Sequence, residues 1–299
     1  FKIIGEEVDD RFRKELKKAV PEKELCRKKG NNLAIVFTPL HGTGNKPVRK
    51  VLQELGFENL KVVEKQAEPD PEFSTVESPN PEEYSAFNLA LETAASNDSD
   101  IIIATDPDCD RMGLMVKDDK GEYIVLNGNQ TGVLMANYIL ERSEVPEEGV
   151  IIKTIVTTEM ITQIAQNYNI EVENVLTGFK YIGEKINEFE EKGDKSFIFG
   201  FEESYGYLAG THARDKDAVV ASALAASMAL YYKENGSSLY EKLQELYEEY
   251  GYYRETLESI RLEGKEGQQK IDGVLNLLRE EKRNQIADRD IIYFSDYEE

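Results

Sequence analysis

Short β-branched apolar runs alternate with segments of helical period from residue 6 to about 250, and this alternation restricts the fold more than any other feature of the chain. Residues 6–29 are charged, with Val8, Phe12, Leu16, Ala19 and Val20 close to helical spacing. "NLAIVFTPLHGTG" reads as a strand running into a loop broken by Pro39 and glycines. "KPVRKVLQELGF" returns to a helix closed by Gly56, "NLKVVE" to a strand, and the Pro-rich "EPDPEFSTVESPNPEEY" to a long loop. "YSAFNLALETAASN" is a further helix, and "SDIIIATDPD" a strand entering a loop. The pattern then repeats: "GVIIKTIVTT", "IEVENVL" and "KSFIFGFE" read as strands, with helices near 158–168 and 180–192 between them. Two more helices follow, from 215 to about 234 and near 237–250. Strands joined by helices pair in parallel and need helical cover on both faces. The expectation is therefore two consecutive three-layer α/β/α domains built on mostly parallel mixed sheets.

"SEVPEEG" (143–149) is a Pro/Gly/acidic joint, which places one domain at 1–146 and a second at 147–252. From "YYRETLESIRLEG" onward the reading changes to strand, then amphipathic helix ("GQQKIDGVLNLLREE"), then "DIIYF", so 253–299 is expected to begin a third, α+β unit that the chain does not finish. The chain opens at Phe1 without a methionine, which suggests a piece of something longer.

Charge narrows the partners. With 36 Lys+Arg against 58 Asp+Glu, the formal net charge is −22, which repels nucleic acid and anionic membrane. An anionic substrate would need a local positive pocket. The longest uncharged apolar run, "AVVASALAASMALYY" (218–232), falls short of the roughly 20 residues that cross a bilayer and reads as a buried helix. Cys26 and Cys109 form no disulfide framework, and no export signal is visible, so the expected location is the cytoplasm.

In "ATDPDCDRMG" (104–113), Asp106, Asp108 and Asp110 alternate at the carboxyl end of an Ile-rich strand, where open α/β sheets bind ligands. Pro107 disfavours helical continuation, so the carboxylates can turn inward around one ion. Hard oxygen donors without a neighbouring histidine favour Mg²⁺ or Ca²⁺ over Zn²⁺. A calcium EF-hand fails on spacing, with Arg111 at the sixth position and Lys117 at the twelfth. Arg111 beside a divalent cation suggests phosphate as the ion's remaining partner; a solvated acidic turn is the plainer reading.

"FGFEESYGYL" (199–208) also follows a strand and offers Glu202, Glu203 and Ser204 in a glycine-containing loop suited to sugar hydroxyls, or simply exposed to water. "THARDKDAV" concentrates His212, Arg214 and Lys216 before the apolar helix, which makes either an anion site or a surface alternation of charge. "TPLHGTG" lacks the pattern of a nucleotide-binding phosphate loop, and its His41 is as suited to positioning a loop as to reacting.

"DPDCDR", "FEESYG", "TPLHGTG" and "TGFKYIGEKI", in their order along the chain, resemble the α-D-phosphohexomutases, and "GFEESYGYL" is most like their bacterial phosphoglucomutase and phosphopentomutase branch. The resemblance covers nearly the whole chain and implies the second and third domains and the start of the fourth, with domain I, which carries the phosphoserine, and the rest of domain IV missing. It implies Mg²⁺ on Asp106, Asp108 and Asp110, phosphate contacts from Arg111 and Lys216, and sugar contacts from Glu202 and Ser204, with Lys180 and Lys153 reaching the sugar or its distal phosphate. The family loop commonly begins Gly-Glu, whereas Phe201 stands between Gly200 and Glu202 here. The implied partners are a sugar monophosphate and a sugar bisphosphate. The implied activity is interconversion of hexose 1-phosphate and 6-phosphate, or the mannose or pentose equivalent. A non-catalytic metal- or carbohydrate-binding module is the alternative; an aspartate-nucleophile phosphatase ranks low, because Asp110 stands where its loop needs Thr or Val.

Overall fold

Runs of uncharged β-branched residues can be buried on both faces, and three of them form the centres of two sheets in the computed structural model, which describes residues 4–256, 260, 262–281, 284–286, 289–291, 293 and 295–297. The chain divides into two units, Phe1–Tyr253 and Arg254–Glu299.

In the first unit the charged amino-terminal stretch becomes α1 (Glu6–Leu16) and α2 (Lys23–Lys29), which bury Leu16 and Cys26. Then come β1 (Ile35–Thr38), α3 (Asn45–Leu55), β2 (Leu60–Val62), α4 (Asn88–Asn97), β3 (Ile101–Thr105), β4 (Met112–Lys117) and β5 (Tyr123–Leu126). They make a sheet of order β2-β1-β3-β4-β5. β1 runs parallel to β2 and β3, while β4 and β5 are antiparallel. α3 ends at Gly56 with φ +105°, where a Cβ would also stand 2.6 Å from the Cys26 carbonyl oxygen, so only glycine lets α2 and α3 approach.

α5 (Gly128–Arg142), β6 (Gly149–Thr154), α6 (Met160–Asn167), β7 (Glu171–Val175), α7 (Phe179–Lys192), β8 (Ser196–Glu202), β9 (Gly206–Ala209), α8 (Ala218–Glu234) and α9 (Leu239–Tyr250) follow. The second sheet has the order β7-β6-β8-β9, parallel except for β9. One hydrophobic core runs from the first sheet to the second through α5 and α8. The small residues of α8 let it lie buried for nearly its whole length against α3 and β9. Its first turn is capped by Asp217, whose Oδ1 accepts from the Val219 and Val220 amides at 2.7 and 3.3 Å, so the helix starts at Ala218 rather than 215. No helix among the described residues is long and apolar enough to cross a membrane.

Three strands stand where the sequence reading placed none: β4, β5 and β9 are hairpin additions that extend the parallel cores. The turn between β4 and β5 is closed by Asp118, whose Oδ1 accepts from the Lys120 and Glu122 amides. The second unit contains α10 (Gly264–Glu281) and a short antiparallel pair, β10 (Gln285–Ile286) with β11 (Arg289–Asp290). The expected strand in "YYRETLESIRLEG" falls partly outside the described residues, and residues 252–256 form none; "DIIYF" also lies partly outside them.

Gly132 of α5 faces β8 so closely that a Cβ would meet the Phe201 ring at 2.1 Å. Gly132→Ala is expected to destabilise the fold by about 1–3 kcal/mol through overpacking. Chemical unfolding should show that loss, and Phe201→Leu in the same chain should recover much of it.

Candidate active site

β3 leaves the first sheet at Thr105, and the chain turns back at once into β4. Cys109 takes φ +63° in that turn, and one oxygen from each of Asp106, Asp108 and Asp110 lies within 4.8 Å of the others. Asp106 is buried; its Oδ1 accepts from the Asp110 and Arg111 amides, both at 3.0 Å, and its Oδ2 from Arg111 Nε at 2.8 Å. Burial raises the Asp106 pKa to about 6, outweighing the hydrogen bonds from Arg111, and the charge of Asp110 adds to the rise. Asp108 is exposed, and Asp110 pairs with Lys216 Nζ at 2.8 Å. Burial disfavours the charge on Lys216, but Asp110 outweighs it and holds the ammonium above its ordinary pKa.

The "TPLHGTG" segment supports this loop. A Cβ on Gly42 would stand 2.5 Å from Pro107 Cα, and one on Gly44 would stand 2.6 Å from Thr105 Oγ1 and 2.8 Å from Cys109 Sγ. The Thr43 amide donates to the Pro107 carbonyl at 2.8 Å. His41 positions rather than reacts: its ring nitrogens lie 2.8 Å from the Glu68 carbonyl and from Thr75 Oγ1.

The second constellation sits at the end of β8. Glu202 pairs with Gly206 across a three-residue hairpin loop in which Tyr205 takes φ +65°. Adjacent glutamates point apart here. Glu202 is buried and its Oε1 accepts from the Gly178 amide at 2.9 Å, while Glu203 Oε2 accepts from Thr154 Oγ1 and Thr157 Oγ1 at 3.3 and 3.2 Å. Burial raises the Glu202 pKa, against the opposing pull of the Gly178 amide and Lys216. Ser204 is half-buried within the hairpin loop. Gly206 has no room for a side chain, since a Cβ would stand 2.6 Å from Lys216 Cδ and 3.4 Å from Glu202 Oε2.

The two loops meet through the backbone. Arg111 and Gly206 form an antiparallel bridge, the Met112 amide donates to the Tyr205 carbonyl at 3.1 Å, and the Ala218 amide donates to the Cys109 carbonyl at 3.2 Å. Asp106, Asp108, Asp110, Arg111, Lys216 and Glu202 thus form one cluster. Lys153 is fully buried at the end of β6, with Nζ donating to the Thr157 carbonyl at 3.0 Å and to Glu159 Oε1 at 2.8 Å. Lys180 is exposed in the first turn of α7, two residues beyond the Gly178 amide that holds Glu202, and its ammonium lies over the Tyr181 ring. The sequence reading missed Asn80 and Glu82, which accept from Arg111 Nη1 at 3.4 and 2.9 Å, and the threonines that hold Glu203.

Residues 10–121 match the phosphoglucomutase/phosphomannomutase alpha/beta/alpha domain II family, and residues 127–250 match its domain III. Phosphoglucomutase of Staphylococcus haemolyticus is 41% identical over 268 residues, which is 90% of this chain and 48% of that protein. The chain therefore spans about half the length of the curated relatives it matches. Among solved structures, a putative phosphomannomutase of Thermus thermophilus superposes with a TM-score of 0.67 at 22% identity, covering 82% of this chain and 51% of that one. An N-acetylphosphoglucosamine mutase of Aspergillus fumigatus, solved in complex with GlcNAc-6P and magnesium, does so with a TM-score of 0.53 at 13% identity, covering 79% and 52%. At these identities both structural matches speak for the fold alone.

Because the folded-state pKa of Asp106 is raised, the fold holds a proton that the unfolded chain releases at a lower pH. Stability from this group is present below its unfolded value, roughly 3.9, and is lost as pH rises through about 6. Urea unfolding in EDTA should show the parent chain losing stability relative to Asp106→Asn between those pH values, with a constant difference above them.

Proposed function

Because this chain belongs to the phosphoglucomutase/phosphomannomutase family, we propose that it is the metal- and sugar-holding part of a phosphoglucomutase-type enzyme that interconverts hexose 1-phosphate and hexose 6-phosphate. The observation that carries this reading is the single cluster joining three carboxylates, Arg111, Lys216 and Glu202 at the carboxyl ends of two sheets. In the same reading 1–146 and 147–252 are the second and third domains of the enzyme, and 253–299 begins the fourth. The phosphoserine that donates the phosphoryl group belongs to the first domain.

The donor set fits Mg²⁺: three carboxylates converge without histidine or thiolate ligands. When bound by Asp106, Asp108 and Asp110, the ion supplies charge neutralisation to the phosphoryl oxygens. Arg111 and Lys216 grip the phosphate as charge-assisted donors. Glu202, oriented by the Gly178 amide through Oε1, presents Oε2 beside Lys216 to accept from a sugar hydroxyl, and Ser204 adds a hydroxyl that donates or accepts. Phosphoryl transfer depends on such positioning and charge stabilisation more than on covalent steps by the protein. The bisphosphate intermediate presents either end to the same groups, so the sugar can return its second phosphate to the serine. Glucose is the preferred sugar in this reading because the 41%-identical relative is a phosphoglucomutase.

The test is turnover of glucose 1-phosphate by the whole protein with Mg²⁺ and a trace of glucose 1,6-bisphosphate, beside mannose 1-phosphate and ribose 1-phosphate. Asp108 is exposed and its replacement leaves the core intact, so Asp108→Ala should fold normally and lose about a hundredfold or more in kcat. EDTA should abolish turnover and Mg²⁺ restore it. No turnover with any of the three sugars would overturn the reading in favour of a binding module.

A further inference from the structure

We propose that Glu82 is a positioning residue for Arg111, delivered by the Pro-rich loop that precedes α4; the inference rests on the phosphotransferase reading above. Arg111 is held at two points. Its Nε donates to Asp106 Oδ2 at 2.8 Å, and its Nη1 donates to Glu82 Oε1 at 2.9 Å, with Asn80 Oδ1 at 3.4 Å. A guanidinium is a rigid planar fork, so two carboxylates gripping different nitrogens fix its plane. Nη2 is left without a protein acceptor among the described residues, and it is the group that remains for an anion. Without Glu82, the Nη1 end would keep only the longer contact to Asn80 Oδ1 at 3.4 Å.

The loop is built to bring Glu82 to this place. The Asn80 side chain accepts from the Glu82 amide at 3.1 Å, closing an Asx turn at the carboxylate. Pro81 is seated on β4 only because residue 113 is glycine; a Cβ there would stand 2.6 Å from the Pro81 carbonyl oxygen and 2.9 Å from the Phe87 ring. At the other end of the loop, Thr38 donates to Gln66 Oε1 at 2.6 Å, Gln66 donates to Thr75 Oγ1 at 3.2 Å, and His41 lies against Thr75. The arginine and glutamate side chains are 30% and 27% exposed, so the pair lies at the wet edge of the cluster. An ion pair at that position contributes little to stability; its effect is on where the guanidinium points.

The experiment is steady-state kinetics of the whole protein on glucose 1-phosphate with Glu82→Ala, Glu82→Gln, Arg111→Ala and the Glu82→Ala/Arg111→Ala pair. Both Glu82 variants should lower kcat/KM about tenfold or more, with most of the loss in kcat, since the orientation matters in the transition state. Their melting temperatures should stay within about 3 °C of the parent. Adding Glu82→Ala to Arg111→Ala should change kcat/KM by less than about twofold, because Glu82 acts through the arginine. Should Glu82→Ala fail to fold, Glu82→Gln keeps the shape and still removes the charge. Unchanged kcat/KM in an active protein, or losses that multiply in the double variant, would overturn the proposal while leaving the mutase reading intact. Absence of turnover by the unsubstituted protein would overturn the mutase reading and this inference with it.

Discussion

The hydrogen bond from the Met112 amide to the Tyr205 carbonyl, with the neighbouring Arg111–Gly206 bridge, joins the first strand after the aspartate loop to the hairpin loop after Glu202. Each loop belongs to a different sheet, and neither alone holds both the three converging aspartates and the buried Glu202. The bridge makes them one surface. Lys216 completes it: its stem crosses Gly206, where no side chain fits, and its ammonium reaches Asp110 at 2.8 Å. Because the joint is made by backbone, its geometry is set by the sheets behind it, which is how a site on loops acquires the rigidity that positioning chemistry needs.

Backbone strain is part of the same loops. Of the eight non-glycine residues with positive φ among the described residues, four, Leu40, His41, Cys109 and Tyr205, lie in the loops that build the cluster. Each such conformation costs on the order of 1–3 kcal/mol and persists only where surrounding contacts enforce it. Those contacts are visible. Gly42 and Gly44 admit the aspartate loop, and Thr43 and Ala218 hydrogen bond to its carbonyls. The charges follow the same logic. In a chain of net charge −22, Arg111 and Lys216 are set among carboxylates that hold both protonated, a local positive pair in an otherwise repelling surface.

Much of this was legible in the sequence because the signals were local. "SDIIIATDPDCDR" states its own strand, its breaker and its donors, and the βα alternation predicted the parallel cores of both sheets. Lys216 could be singled out because a basic residue before a long apolar helix is conspicuous in so acidic a chain. What escaped was set by tertiary pairing. β4, β5 and β9 are short runs whose antiparallel register depends on the strand already beside them. Glu82 lies far from Arg111 along the chain, in a loop without period, and nothing local marks it as an arginine partner. The opposite orientations of Glu202 and Glu203 agree with the alternation expected of a strand end, yet the partners of each come from other elements.

Whether the two loops form a single metal and sugar-phosphate site is tested by a crystal structure of the whole protein with Mg²⁺ and glucose 1,6-bisphosphate. The ion should lie among Asp106, Asp108 and Asp110, one phosphate against Arg111 and Lys216, and sugar hydroxyls on Glu202 and Ser204. A sugar bound elsewhere, or an ion held away from the three aspartates, would contradict a single site.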